Sequence, residues 1–190
     1  MERREHLKQL LTLATGIAWL PAISFSCQGT VETAGLDLTE DAKNTIQELC
    51  EHIIPSDAQV KGSKDLLLSD FVLLMVNDCL TEDERKKYVS GYQALEKISQ
   101  EGYQKGITAL DRSSLQSLLT EVTTDTGDEG EKGRLKEGAK YFVNTTKNYL
   151  ILGFTVSKYY MTEIMPYNMF PGGFKGAVKF NPGEKINIHG

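Results

Sequence analysis

Acid–base and nucleophilic chemistry near neutral pH usually draws on histidine, and beyond residue 26 this chain offers only His52 and His189. His52 lies in a helical pattern just before Ile53-Ile54-Pro55, where a helix C-terminus favours a cation, and His189 is the penultimate residue. Neither has serine and carboxylate companions that suggest a triad. Carboxylates gather at Asp70, Asp78, Glu82, Asp83 and Glu84 around a helix junction, where a solvated face and a calcium site are both open readings. Gly172-Gly173-Phe174-Lys175-Gly176 carries the glycines of a phosphate loop. It follows a helix and Pro171 rather than a strand, however, and lacks Lys-Ser/Thr after its last glycine. There is no C-x-x-C, C-x-x-C-H or H-E-x-x-H, so an iron–sulfur cluster, a c-type haem and a zinc site each lack their usual ligands. These residues point away from catalysis and away from a cofactor held by this chain.

The strongest pattern is N-terminal. Residues 1 to 27, MERREHLKQLLTLATGIAWLPAISFSC, have a charged start, an uncharged run from Gln9 to Ser26 and then a cysteine, the layout of a secretory signal. Arg3, Arg4, Leu7 and Lys8 match the twin-arginine motif R-R-x-F-L-K, with His6 in place of its Phe. The implied translocase carries proteins already folded. Thr12, Thr15, Gly16 and Pro21 keep the run only moderately apolar, which suits that route, against the plainer reading of an amphipathic helix with two chance arginines. Cys27 follows Ile23-Ser24-Phe25-Ser26, a loose lipoprotein box, so cleavage before it would leave a lipidated N-terminus. An ordinary cysteine beside a conventional cleavage site is the alternative. The expected division is a signal peptide over 1–26, a tether over 27–38 and a domain over 39–190, placing the protein in the periplasm, held at the membrane by a lipid anchor alone. In that oxidising compartment Cys50 and Cys79 either pair as a disulfide or remain separately buried thiols.

Bulk properties fit one exported domain. At 40% hydrophobic and 25% charged, with no low-complexity tract, the 190 residues have the composition of a folded chain. The formal charge is −5; removing Arg3, Arg4 and Lys8 against Glu2 and Glu5 takes away one positive charge and leaves −6, which makes nucleic acid a poor partner. After the leader, the longest apolar stretch, Tyr149 to Met161, contains Lys158 and is too short to span a bilayer.

Helical spacing dominates the chain beyond its leader, so the fold expected is all-α, a compact domain of about five helices with an extended Pro/Gly-rich C-terminal arm. Thr39 caps a helix over residues 40–54 that presents Ala42, Ile46, Leu49, Cys50 and Ile53 on one face and stops at Pro55. Leu66, Leu67, Phe71, Leu74, Met75 and Leu80 are dense enough to predict a buried central helix. Thr81 and Glu84 form a capping box opening a third helix, with Tyr88, Tyr92, Leu95 and Ile98 on one stripe, that weakens at Gly102. Ile107 to Leu110 is a connector, and Asp111 caps a short helix containing Leu115, Leu118, Leu119 and Val122. The polar stretch Thr123 to Gly133 is a surface loop, and a last helix runs from about Arg134 to Met165, rich in aromatics, with Gly153 kinking it or permitting close packing. From Tyr167 to Gly176 the breakers Pro171, Gly172 and Gly173 alternate with Tyr167, Phe170 and Phe174, giving a loop folded back on the domain or an arm that another protein covers. Ala177 to Ile188 could hold a short strand.

In order and wording, several segments resemble the small subunit of membrane-bound gluconate 2-dehydrogenase, the subunit 3 family. Leu49 through Asp57 is similar to its helix ending in an I-I-P signature; Val60-Lys61-Gly62-Ser63 stands where that family often has Pro-Gly-Ala, before the helix around Asp70-Phe71. Gly91-Tyr92-Gln93-Ala94-Leu95 and Gly153-Phe154-Thr155-Val156-Ser157 resemble two further helical motifs, and Tyr167 through Gly176 its closing Y-x-x-x-P-G segment. The resemblance spans about residues 37 to 176. It implies a non-catalytic accessory subunit whose partner is a large FAD-dependent oxidoreductase of the glucose–methanol–choline type, with electrons leaving through a cytochrome c. The small subunit would carry the export signal for its folded, flavin-loaded partner. Tyr167, Phe170, Pro171, Gly172, Gly173 and Phe174, with the aromatic last helix, are then candidates for the partner surface, core packing of those aromatics being the alternative. A stand-alone lipoprotein with a ligand-sized pocket, and an enzyme using the acidic residues near 78–84, are the competing functions.

Overall fold

The computed structural model describes residues 38–124 and 130–165, with 177, 179, 182 and 183. Arg3, Arg4, Leu7, Lys8 and Cys27, the segment from Tyr167 to Gly176 and most of the suggested strand lie outside the described residues. All described residues belong to a compact unit from Thr33 onward.

Five α-helices and two short turns of other pitch make up this unit, with no strand among the described residues. Helix α1, Glu40–Ile53, begins where the Thr39 hydroxyl accepts the Ala42 N–H at 3.2 Å, with Glu40 and Asp41 at the positive end of its dipole. It ends before Pro55, the Ile54 N–H still donating to the Cys50 carbonyl at 2.9 Å. Helix α2, Leu68–Cys79, starts two residues later than the apolar pattern implies. The reason is local: Leu67 takes a left-handed conformation (φ 52°), and the Leu68 N–H turns back to the Ser63 carbonyl at 3.0 Å. Helix α3, Glu82–Tyr103, opens on the expected capping box, in which Glu84 Oε2 accepts the Thr81 N–H at 2.9 Å, and runs past Gly102 to a left-handed Gln104. A 3₁₀ turn, Ile107–Ala109, then buries Ile107. Asp111 caps α4, Arg112–Thr123, by accepting the N–H groups of Ser113 and Ser114.

Helix α5, Gly130–Val156, begins four residues earlier and ends nine residues sooner than periodicity suggests. The Ser157 hydroxyl donates to the Phe154 carbonyl at 2.7 Å and accepts the Tyr160 N–H at 3.1 Å, closing the helix locally. A π turn, Tyr160–Ile164, follows.

The apolar density of α2 suggests the centre of the bundle, but α5 occupies it, since α5 touches each of the other four helices. Its tightest partner is α3. A methyl group on Gly91 would come within 2.4 Å of the Gly138 carbonyl oxygen, so the two backbones approach as closely as side chains permit. Beside that crossing Tyr88 and Phe142 are wholly buried with ring centroids 4.7 Å apart, a burial worth about 1.5–3 kcal/mol per large side chain. The Tyr88 hydroxyl is satisfied by the buried Thr146 hydroxyl at 2.8 Å. No helix among the described residues is long and apolar enough to cross a membrane.

Candidate functional site

The residues best able to do chemistry are engaged in structure. His52 Nε2 lies 2.8 Å from Gln116 Oε1, tying the end of α1 to α4, and His189 lies outside the described residues. Of the acidic stretch, Glu84 closes the capping box and Glu82 pairs with Lys86 at 2.6 Å. Their carboxyls are held below the ordinary range, Glu82 by its bond to Lys86 and Glu84 by the Thr81 N–H and hydroxyl, opposite to the shift a general acid needs. No three His, Cys, Asp or Glu side chains converge for a metal among the described residues.

Cys50 and Cys79 are free thiols, so the disulfide is absent, and Cys79 is exposed rather than buried. Cys50 lies on the core face of α1 and Cys79 at the far end of α2, 3.9 Å from the Met75 sulfur. Burial pushes the Cys50 thiol up to about 12 against the opposing effect of its hydrogen bond with Ser63, leaving it unreactive.

The I-I-P segment leads into a tightly tied loop. Glu51 accepts the Ser56 N–H (2.8 Å) and hydroxyl (3.3 Å) and the Lys64 N–H (3.2 Å), strapping both loop ends to the end of α1. The Ser63 N–H donates to the Ile54 carbonyl at 2.9 Å, and Gly62 lies so close that a methyl there would be 2.3 Å from the Pro55 carbonyl carbon. The Lys61 N–H donates to the Tyr159 hydroxyl at 3.3 Å, and the Lys61 ammonium sits 5.6 Å from the centre of the same ring. This loop is therefore moored both to α1 and to the segment following α5.

Of the expected partner surface, the aromatics of α5 face inward or lie along the edge of the core. Phe142 is buried, Tyr141, Tyr149 and Phe154 pack against the core, and Tyr141 also receives Lys87 at 4.5 Å. What α5 does expose is aliphatic. Among the described residues the exposed large apolar side chains are Val60, Leu67, Leu74, Ile151, Leu152 and Val156, from 39% exposed at Val60 to 65% at Leu67. All lie on the loop, on α2 or its N-cap, or on the last turns of α5; α1, α3 and α4 contribute none.

Two contacts show how they group. The Phe71 ring fills the notch at Gly153, 2.5 Å from where a Cβ would be, so Gly153 serves close packing. Lys61, before α2, meets Tyr159, after α5, so the two helices run antiparallel here. At 100° per residue, Leu74 falls to one side of Phe71, and Leu152 and Val156 to one side of Gly153. In both helices most core residues fall to the other side, so Leu74, Leu152 and Val156 lie toward the solvent side of the contact between α2 and α5. Sequence reasoning missed them by following aromatics. The signal was present as Ile151 and Leu152 on the face of α5 that also carries Asn148, where a solvated helix would continue with polar residues.

A cleft of about 300 Å³ lies elsewhere, lined by Ile98, Glu101, Gly102, Glu121, Lys132, Leu135 and Lys136. It is at the lower limit of small-molecule sites, roughly 300–1,000 Å³, and lined by opposite charges rather than the apolar walls such sites favour.

The comparisons with known proteins assign the helical body. No curated protein and no solved structure matches the chain. The family model described as gluconate 2-dehydrogenase subunit 3 matches residues 40–172, a span that takes in every helix from α1 to α5. The chain belongs to the gluconate 2-dehydrogenase subunit 3 family.

Proposed function

We propose that this protein is the non-catalytic small subunit of an exported, membrane-associated, FAD-dependent sugar or polyol dehydrogenase, supplying the twin-arginine signal under which its folded flavoprotein partner is exported and stabilising that partner afterwards. The observation that carries the reading is the family match over the whole helical body, since the family is a subunit of a dehydrogenase complex. The disposition of the chemical side chains supports it: His52, Glu82 and Glu84 are occupied by hydrogen bonds and ion pairs that hold helix ends.

FAD belongs on the partner in this reading. Among the described residues, the cleft beside Ile98 and Lys136 does not suit it, being about 300 Å³ and lined by opposite charges. No strand leading into a glycine-rich turn and a helix is present among them to cradle a pyrophosphate. The partner is a large subunit of the glucose–methanol–choline type, from which electrons pass to a cytochrome c. Cofactor insertion in the cytoplasm requires a folded-cargo route, and Arg3 and Arg4 provide its address.

The test is export. Changing Arg3→Lys together with Arg4→Lys strands both this chain and the flavoprotein in the cytoplasm, read by fractionation and by dye-linked dehydrogenase activity of the periplasmic face. Undiminished periplasmic activity in the double variant would refute the carrier role.

A further inference from the structure

We infer that the loop between α1 and α2, residues 54–67, and the π turn after α5 open and close as one unit: the loop is a strap, Glu51 latches it to α1, and Tyr159 ties the turn to it. This coupling belongs to the chain itself and needs no partner.

Both segments are held by polar contacts more than by burial. Within residues 55–67 only Gly62 and Ser63 are buried, and the π turn Tyr160–Ile164 buries no residue. Segments with so little apolar burial open locally while a packed core stays closed. Their order therefore depends on a few bonds. On the loop the principal acceptor is a single carboxylate, since Glu51 takes the Ser56 N–H and hydroxyl and the Lys64 N–H. Those donors lie on either side of the exposed stretch 57–61, so a latch that lets go loosens both of its ends.

Lys61, inside that stretch, reaches across 98 residues of chain. Its N–H donates to the Tyr159 hydroxyl at 3.3 Å, and its ammonium lies 5.6 Å from the centre of that ring. Tyr159 immediately precedes the turn. Its neighbour Tyr160 packs on Phe154 with ring centroids 5.4 Å apart, donates its N–H to the Ser157 hydroxyl and accepts the Met165 N–H at its carbonyl. What fixes Tyr159 thus fixes the residue that closes the turn. Coupling of this kind is reciprocal: loosening the latch loosens the turn, and loosening Tyr159 loosens the latch. Anything that orders one segment orders the other.

Amide hydrogen exchange of the purified full chain, read residue by residue by NMR, tests both directions. Glu51→Gln keeps the side-chain shape but turns one acceptor oxygen into a donor, so part of the latch loses its partner. Exchange at Met161 and Met165, whose N–H groups bond to the Ser157 and Tyr160 carbonyls rather than to Glu51, should quicken about ten-fold. Tyr159→Phe removes one hydroxyl, and should quicken exchange at Ser56 and Lys64 several-fold. The double variant should exchange at Met165 no faster than Glu51→Gln alone, because an open strap no longer holds Tyr159. Leu118 and Leu150, both wholly buried, should keep wild-type protection throughout. Unchanged exchange at Met161 and Met165 in Glu51→Gln, or at Ser56 and Lys64 in Tyr159→Phe, overturns the inference, because loop and turn then open independently. If Glu51→Gln also deprotects Leu150, the whole fold has loosened, and Tyr159→Phe alone decides by the same comparison.

Discussion

A methyl group added at Gly62 would meet the backbone of Pro55 and Ser56 at 2.3 Å, and backbone held by the Glu51 hydrogen bonds cannot yield as a flexible side chain would. Gly62→Ala should therefore destabilise the fold by about 1–3 kcal/mol, as overpacking does. Gly102, in α3 with nothing within 4 Å of its virtual Cβ, is the counterexample. Gly102→Ala should stabilise by about 0.5–1 kcal/mol through the lost flexibility of the unfolded chain. Denaturant titration of the two variants checks the pair, and an equal effect of both would show that the Pro55–Gly62 contact does not constrain the loop. The same scale explains what the sequence hid about the thiols. Cys50 and Cys79 read as possible disulfide partners from their number and compartment, but pairing depends on where two helix faces point, and the bundle buries one and exposes the other.

At the scale of elements, caps were the most legible features, because each is a local contract between a side chain and N–H groups two or three residues on. Thr39, the Thr81/Glu84 box and Asp111 all cap where their identity and position predict. The Asp111 carboxyl is held well below the ordinary carboxylate range, first by the Ser113 and Ser114 hydroxyls and then by the Ser114 N–H. A group depressed on folding contributes stability above its unfolded pKa, and that contribution is lost as pH falls through the folded value. Asp111→Asn keeps a capping side chain but does not titrate. Wild type should melt above this variant at pH 7 and lose that margin as pH falls below about 4, toward the depressed folded value. A margin constant with pH would show that Asp111 caps without its charge. Helix ends lacking caps were the illegible ones. The start of α2 depends on a left-handed Leu67 and a hydrogen bond back to Ser63, and the end of α5 on Ser157, none of which disturbs the apolar periodicity.

For the molecule as a whole, the proposed anchoring adds a prediction about place. Cys27→Ser should release the complex from the membrane fraction into the soluble periplasm without abolishing its activity, since one lipidated residue would be its only hold. Retention at the membrane, measured by fractionation and acyl labelling, would point to another anchor. The sequence alone determined the helical class, because periodicity and capping are written along the chain and need no distant contact. Tertiary structure decided which helix is central and what surface remains. α2, the most apolar helix by density, has one side left bare, while α5 takes the core through the Gly91–Gly138 and Phe71–Gly153 approaches. Burial is a property of pairs of elements. A run of apolar residues states that a face must be covered, and only the packing of the bundle shows which apolar residues it leaves exposed, at Leu67, Leu74, Leu152 and Val156.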